Sequence, residues 1–392
     1  MKKKLLFVLP SLCSGGAEKS LVTLLHVLEP AAYDVSVFLF RAEGLFLSQL
    51  PSNVRLLEAG EDYRMFDGSA AAALKYFIKK RKFRSAFARI DLILAAKRGD
   101  AARVWRDLQT TLPPLQETYD AAIGYLEGTA TYFAVDKVQA KRKIAFLHTD
   151  YSRMASQQAA DAPYYEKIDA LIGVSPLCCE TAEQFFPCLK GKTAVMENIV
   201  SPALIRSMAQ VEIDDMPDGG VPRLLTVGRC VPVKGIDLAV EACAVLKEKG
   251  VRLRWYHIGQ GAQQEALRAA VRDKGLEDTF LFLGERENPY PYLRACDVYV
   301  QPSRAEGKSI AIDEAKCLAK PIVVTGFPTV YDQIENGVNG LITEAITAQA
   351  IADKIEQLLS DDALRQRLTR ALENEATGNE TQAQVLCDLI EG

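Results

Sequence analysis

Short apolar runs that read as buried strands alternate with helix-like stretches along almost the whole chain. That alternation leaves few folds open, because strands linked by crossover helices assemble into parallel sheets. In the first half the strand candidates are 4–9 (KLLFVL), 34–40, 54–59, 120–126, 142–147 and 169–174, with helices such as 17–28 and 176–185 between them. The pattern restarts at 222–228 and continues through 251–259, 279–284, 297–303, 321–325 and 339–343, separated by helical runs 236–249, 262–274 and 309–319. At 392 residues the chain exceeds what one hydrophobic core usually supports. The expectation is therefore two doubly wound α/β domains, at 1–200 and 223–372. Between them 201–222, with three prolines, a Gly-Gly pair and no sustained apolar period, reads as a linker. A C-terminal helix is expected at 373–392, with a return to the N-terminal domain left open.

Composition excludes some classes of function. A net charge of −4 argues against nucleic-acid binding by bulk charge. The N-terminus, MKKKLLFVLPSLCSGG, imitates a secretory signal, but its apolar run is short, Pro10 ends it, and a glycine turn leads into a helix. It reads as a first strand. No segment reaches the roughly 18 apolar residues of a membrane span. Nine cysteines without CxxC spacing, Cys178 and Cys179 adjacent, suit reduced thiols in a cytoplasmic protein.

One insertion breaks the alternation. Residues 75–106 carry eleven Lys or Arg against two Asp, interleaved with Tyr76, Phe77, Phe83, Phe87, Ile90 and Leu94. Two readings stand: a helical hairpin with a solvated basic face, or a basic amphipathic surface that lies on an anionic membrane from the cytoplasmic side.

The chemistry-bearing stretches sit where strands pass into helices. Gly15 and Gly16 open a helix whose free N–H groups suit an anion such as a diphosphate. The G-x-G-x-x-G spacing is missing, which disfavours a nicotinamide dehydrogenase. In TVGRCVPVKGIDLAV, Arg229 and Lys234 flank a loop leaving a strand, where they could hold a diphosphate or simply be solvated. Gly259 and Gly261 join the next strand to its helix, and His257 reads as a strand residue. In QPSRAEGKSIAIDEA, Glu306 lies at a strand tip, while Glu314 points outward from a helix about a turn and a half in. Such carboxylates mark either a solvated helix face or two ends of one ligand site. Each can accept hydrogen bonds from a vicinal diol, with the N–H groups of Gly307, Lys308 and Ser309 free between them for phosphate. A nucleotide sugar, with a diol at each end and a diphosphate between, fits that spacing.

These motifs together resemble the retaining, nucleotide-sugar-dependent glycosyltransferases of the GT-B fold, family four (glycosyl transferases group 1), in the branch that builds bacterial surface polysaccharides. The resemblance rests on Gly15-Gly16-Ala17-Glu18, VGR…KG at 227–235, IGQG at 258–261, FLG ending at Gly284, the Glu306/Glu314 pair, YLEGTAT at 125–131 and AFLHTD at 145–150. It implies an α/β GT-B architecture, two doubly wound Rossmann-like domains facing a central cleft, the N-terminal one on the acceptor side and the C-terminal one on the donor side. It further implies Arg229 and Lys234 on the diphosphate, Glu314 on the ribose, and Glu306 on the transferred sugar, helped by the amides after Gly307. Gly15, Gly16, Gly259 and Gly284 would shape the donor site, His148 would line the sugar pocket, and Glu127 and Tyr125 would face the acceptor. Lys308 departs from the usual aromatic or aliphatic residue and leaves donor preference open.

The implied reaction moves a sugar from a nucleotide diphosphate sugar, with UDP the expected carrier and GDP open, to a saccharide or lipid-linked acceptor. No D-x-D loop is seen, so no metal and no cofactor are expected, and cations would stabilise the leaving diphosphate. Retention implies front-face attack, with Glu306 positioning the sugar rather than acting as a base. The alternatives are a non-catalytic nucleotide-sugar-binding scaffold subunit and a UDP-sugar epimerase of the same fold; a phosphorylase would need a longer chain and a Schiff-base lysine.

Overall fold

A computed structural model describes residues 2–13, 15–375 and 377–391. The chain divides into two compact units, Met1–Ile199 with Asn379–Gly392, and Val200–Gly378.

The first unit holds seven parallel strands: β1 (Lys3–Leu9), β2 (Tyr33–Leu39), β3 (Arg55–Glu58), β4 (Thr118–Gly124), β5 (Gln139–Leu147), β6 (Ala170–Gly173) and β7 (Thr193–Val195). Their order is β3-β2-β1-β4-β5-β6-β7. The central β1 is buried from Leu5 to Leu9 and pairs on both sides, Leu5 with Val35 of β2 and with Ala121 of β4. Helices on both faces explain why this strand is a continuous apolar run rather than an alternating one. β7 is the strand that sequence reading missed. It has three residues, none buried, and owes its conformation to pairing with Leu171, Ile172 and Gly173.

The second unit repeats the plan with β8 (Arg223–Val227), β9 (Arg254–Ile258), β10 (Phe280–Gly284), β11 (Val298–Gln301), β12 (Ile322–Val324) and β13 (Leu341–Ile342), in the order β10-β9-β8-β11-β12-β13. Successive strands build outward in one direction from β8, and then from β11 in the other. The crevice at the carboxyl ends of β8 and β11 is therefore the topological switch point, where such sheets bind ligands. In the first unit the equivalent position lies at the ends of β1 and β4.

One segment differs from expectation, and a second takes the return that was left open. Residues 201–222 do not form a free linker: they contain helix Pro202–Met208, and Val200, Ile205, Ala209 and Met216 are buried in the second unit's core with Tyr256 and Tyr299. The apolar residues are too sparse to show a period, yet each fills a core position. The last helix, Ala383–Glu391, buries Ala383, Leu386 and Ile390 in the first unit's core beside Leu5 and Leu25. Leu386→Ala should therefore cost about 2–5 kcal/mol, as a fully buried leucine does. Hydrogen exchange should show faster opening of β1 and β2 while β8 and β11 keep their protection. Equal loosening of both units would contradict this packing.

Candidate functional site

The expected donor-site residues lie on the loops that leave β8, β9 and β11. Those loops are bound together by backbone contacts before any side chain is considered. Gly228 N–H donates to Ile258 O at 2.9 Å and Cys230 N–H to Gln260 O at 2.9 Å, so the β8 and β9 loops run side by side. Gly259 adopts φ +139°, and a Cβ there would lie 2.0 Å from Gly228 O. Only glycine fits. Gly235, at φ +66°, presents the same constraint against the β11 loop, since its Cβ would meet Pro302 O at 2.0 Å.

Arg304 fastens that second approach. Its N–H donates to Val233 O at 2.8 Å, and its guanidinium reaches Pro232 O at 2.7 Å and both Asp237 oxygens at 2.7 and 2.6 Å. This bidentate pairing holds the Asp237 carboxyl below the usual carboxylate range.

Lys234, at the end of the short turn Pro232–Lys234, is thereby delivered to Glu306, with Nζ 2.7 Å from each carboxylate oxygen. Oε1 also accepts from Ser303 Oγ at 2.6 Å and Gln301 Nε2 at 3.1 Å. Gln301 Nε2 donates to Ser303 Oγ at 2.7 Å as well, and Tyr299 OH donates to Gln301 Oε1. Tyr299, Gln301 and Ser303 are almost wholly buried. The chain of donors fills Oε1 and leaves Oε2 with spare acceptor capacity. Arg229 is exposed on the same loop as Lys234, and no described residue pairs with its guanidinium.

The second glutamate corrects the expectation that it points outward. Glu314, in helix Ile310–Cys317, is 2% exposed, and Tyr290 OH donates to its Oε1 at 3.1 Å. The Glu306 side chain is 9% exposed. Neither lies on a solvated face, so the bland alternative for the pair fails. The free Ser309 amide is a second correction. Ser309 N–H donates to Gln333 Oε1 at 2.9 Å, and Gln333 Nε2 donates back to Ser309 O and to Asp313 Oδ1, both at 2.9 Å. The buried helix start therefore satisfies one of its own donors instead of leaving it for phosphate. Gly307 and Lys308 are exposed beside it, and Gly284 ends β10 at φ +77°, its carbonyl accepting from Gly259 N–H at 2.9 Å.

Gln301, Ser303, Tyr290, Gln333 and the Arg304–Asp237 pair were missed in the sequence. One signal was available: Tyr299, Gln301 and Ser303 recur at the two-residue period of one strand face, polar where a buried strand should be apolar. The others meet their partners over 20 or more residues, as Gln333 meets Ser309, and carry no local signature.

In the first unit, Gly16 starts helix Gly16–Val27, and Gly15 is extended. A Cβ on Gly15 would fall 2.0 Å from Glu18 Oε2, so the glycine makes room for a carboxylate beside this helix start. A bound phosphate there would require Glu18 to turn aside. Tyr125 corrects another expectation. It is 1% exposed, its OH lies 3.1 Å from Ser20 Oγ, and its ring packs on Phe7 and Phe146. It is a core residue, and its main contribution is the carbonyl that accepts from His148 Nε2 at 2.9 Å. Glu127 Oε1 accepts from His148 N–H at 2.5 Å, and burial raises the Glu127 carboxyl above its usual range. Burial also lowers His148 to about 4, so its imidazole is neutral near pH 7. His257 is a buried strand residue whose Nε2 donates to Gly228 O at 2.9 Å, and burial lowers it to about 4 too.

Residues 215–375 match glycosyl transferases group 1. The lipopolysaccharide core biosynthesis glycosyltransferase LpsE of Rhizobium meliloti is 28% identical over 205 residues, 52% of this chain and 58% of that protein. The amylovoran biosynthesis glycosyltransferase AmsK of Erwinia amylovora is 31% identical over 149 residues, 36% of this chain and 37% of that protein. The chain thus spans less than two thirds of the length of these curated relatives. Anabaena Alr3699/HepE, solved in complex with UDP and glucose, covers 100% of both chains with a TM-score of 0.66 at 18% identity. The fold class is GT-B, two doubly wound α/β units.

The two shifted histidines make stability depend on pH. In the unfolded chain each imidazole titrates near 6.5, whereas in the folded protein each stays neutral down to about 4. Protons therefore bind the unfolded chain preferentially in that window, and stability falls as pH drops from about 6.5 towards 4. His257, fully enclosed, should account for roughly 2–4 kcal/mol of the fall. Urea midpoints of wild type and His257→Gln across this range check it: the variant should show a visibly flatter slope.

Proposed function

We propose that this protein is a retaining, metal-independent glycosyltransferase of the hexosyltransferase type. It moves a sugar from a nucleotide diphosphate sugar, UDP-linked by preference, to a saccharide or lipid-linked acceptor in bacterial cell-surface polysaccharide synthesis. The observation that carries this reading is the Lys234–Glu306 pair beside the unpaired Arg229, at the switch point of the second sheet. The group 1 match over the same residues supports it. So do the polysaccharide-building relatives and the UDP and glucose bound by the Anabaena protein.

In this reading Arg229 and Lys234 take the diphosphate, and Glu306 Oε2 accepts a hydroxyl of the sugar. Glu314, oriented by Tyr290, meets the ribose through its small exposed edge. The bond from the anomeric carbon to the phosphate oxygen breaks as the acceptor oxygen attacks the same face. The acceptor's proton passes to the departing phosphate, whose charge the two cations stabilise. Glu306 positions the sugar and holds Lys234 in place, and neither role requires it to remove a proton. Glu127 serves the acceptor side on the first unit, and the neutral His148 lines the sugar pocket. Peripheral association with the inner face of an anionic membrane through 75–106 belongs to the same reading.

Three measurements test it. Activity against a UDP-sugar panel should persist in chelator, and recovery only on adding manganese would refute metal independence. Arg229→Ala should weaken UDP about ten- to a hundredfold while barely affecting uridine, because a lost charge-assisted contact acts at the phosphates alone. The glutamates should separate. Glu314→Gln should weaken both UDP and the UDP-sugar. Glu306→Gln, which removes the anion opposing Lys234, should leave UDP binding unchanged or tighter and cut turnover by about a hundredfold through lost orientation. Binding without turnover in wild type would favour a scaffold subunit instead.

A further inference from the structure

The insertion between β3 and β4 folds as helices Ala70–Lys79, Phe83–Arg98 and Ala101–Leu108, among others. The middle one turns most of its large apolar side chains outward. Its fully buried residues are small, Ser85, Ala86, Ala88 and Ala95, with Leu92 partly buried against the same cluster. Four of its large apolar side chains, Phe83, Phe87, Ile90 and Leu94, are 56%, 73%, 48% and 46% exposed. Their spacing of four, three and four residues sets them in a single stripe along the helix. Beside the stripe runs a groove of about 460 Å³, lined by Phe87, Ile90 and Leu94 with Arg84 and Arg106 and the carboxylates Asp91 and Asp107. Exposed apolar stripes of this kind mark interaction surfaces.

Charge narrows the partner. Lys82 is taken by Asp62, and Arg103 and Arg106 by Asp91. Lys79, Arg81, Arg84, Lys97 and Arg98 are exposed and have no carboxylate partner among the described residues. Arg84, Lys97 and Arg98 border the stripe itself. A second copy docking through the same face would bring these cations together, an isologous contact that repels. No described helix is long and apolar enough to cross a membrane.

We propose that helix Phe83–Arg98 lies in the plane of an anionic phospholipid surface. Phe83, Phe87, Ile90 and Leu94 enter the acyl boundary, and Arg84, Lys97 and Arg98 meet lipid phosphates. This rests on the membrane association proposed above and names the face that performs it; it is independent of the transfer reaction.

The test is co-sedimentation of the full chain with vesicles of phosphatidylcholine alone or mixed with phosphatidylglycerol. Wild type should bind the anionic vesicles, and binding should fade with salt as screening grows. Phe87→Ser combined with Leu94→Ser should lower partitioning by about tenfold or more. Arg84→Gln, Lys97→Gln and Arg98→Gln together should lower it on anionic vesicles only. All five positions are exposed, so circular dichroism should be unchanged. No binding by wild type overturns the membrane association itself. Binding that survives both variants overturns only the assignment of this helix. A concentration-dependent dimer lost in the stripe variant, without vesicle binding, would give the face to a second copy.

Discussion

The second unit's site depends on an ion pair that is expensive to leave half made. Lys234 and Glu306 come from loops 72 residues apart in sequence, and both are largely withdrawn from water. A carboxylate in that position needs donors for its lone pairs, and a lone ammonium there would need other acceptors or water. Each therefore holds the other's loop in place. The steric constraints act in the same direction: Gly235 admits the β11 loop at a distance no side chain would allow, and Arg304 ties the same two loops through Asp237. What results is a cation fixed at the mouth of the sheet before any ligand arrives, so little ordering cost remains to be met on binding.

This arrangement has a chemical consequence that charge counting alone would miss. With Glu306 present, Lys234 is about neutralised, and in the proposed reading much of the net positive charge for an incoming diphosphate rests on Arg229. A donor phosphate approaching Lys234 would have to share it with Glu306. In that reading, sharing of this kind would keep the ground-state complex from becoming too tight, while the negative charge that develops on the leaving group would draw harder on the same ammonium. Interactions that strengthen towards the transition state raise turnover; those that are merely tight do not.

Much of this was legible in the sequence because it is written locally. Twelve of the thirteen strands announce themselves as apolar runs, and only the three-residue β7 does not, since its conformation comes from its neighbour. Arg229, Lys234 and Glu306 stand just past strands, where function concentrates in such sheets. Orientation was not legible. Glu314 and Tyr125 carry polar atoms and were expected to use them outward, but each turns inward and satisfies them with a hydroxyl from a distant segment, Tyr290 and Ser20. Ser309 fails for the same reason, its amide claimed by Gln333. A buried polar group must find a partner, yet the rule does not say which segment supplies it, and no local pattern does.

The two units use burial to opposite ends. At the second unit's switch point, charge is retained and paired. On the first, around the end of β4, charge is suppressed: Glu127 is pushed towards its protonated form and His148 towards its neutral one. A surface of that kind suits hydroxyl-rich, uncharged chemistry better than phosphate, because neutral groups can donate and accept hydrogen bonds without attracting counterions. Several of this unit's exposed cations without a carboxylate partner, Arg81, Arg84, Lys97 and Arg98, lie on helix Phe83–Arg98 and the turn before it. In the proposed reading, anion attraction and hydroxyl recognition fall to different parts of one domain. That division is what an enzyme needs when its acceptor is a sugar carried on an anionic, membrane-embedded phosphate, as the lipid-linked reading requires: the surface is held by one element while the reacting hydroxyl is presented to another.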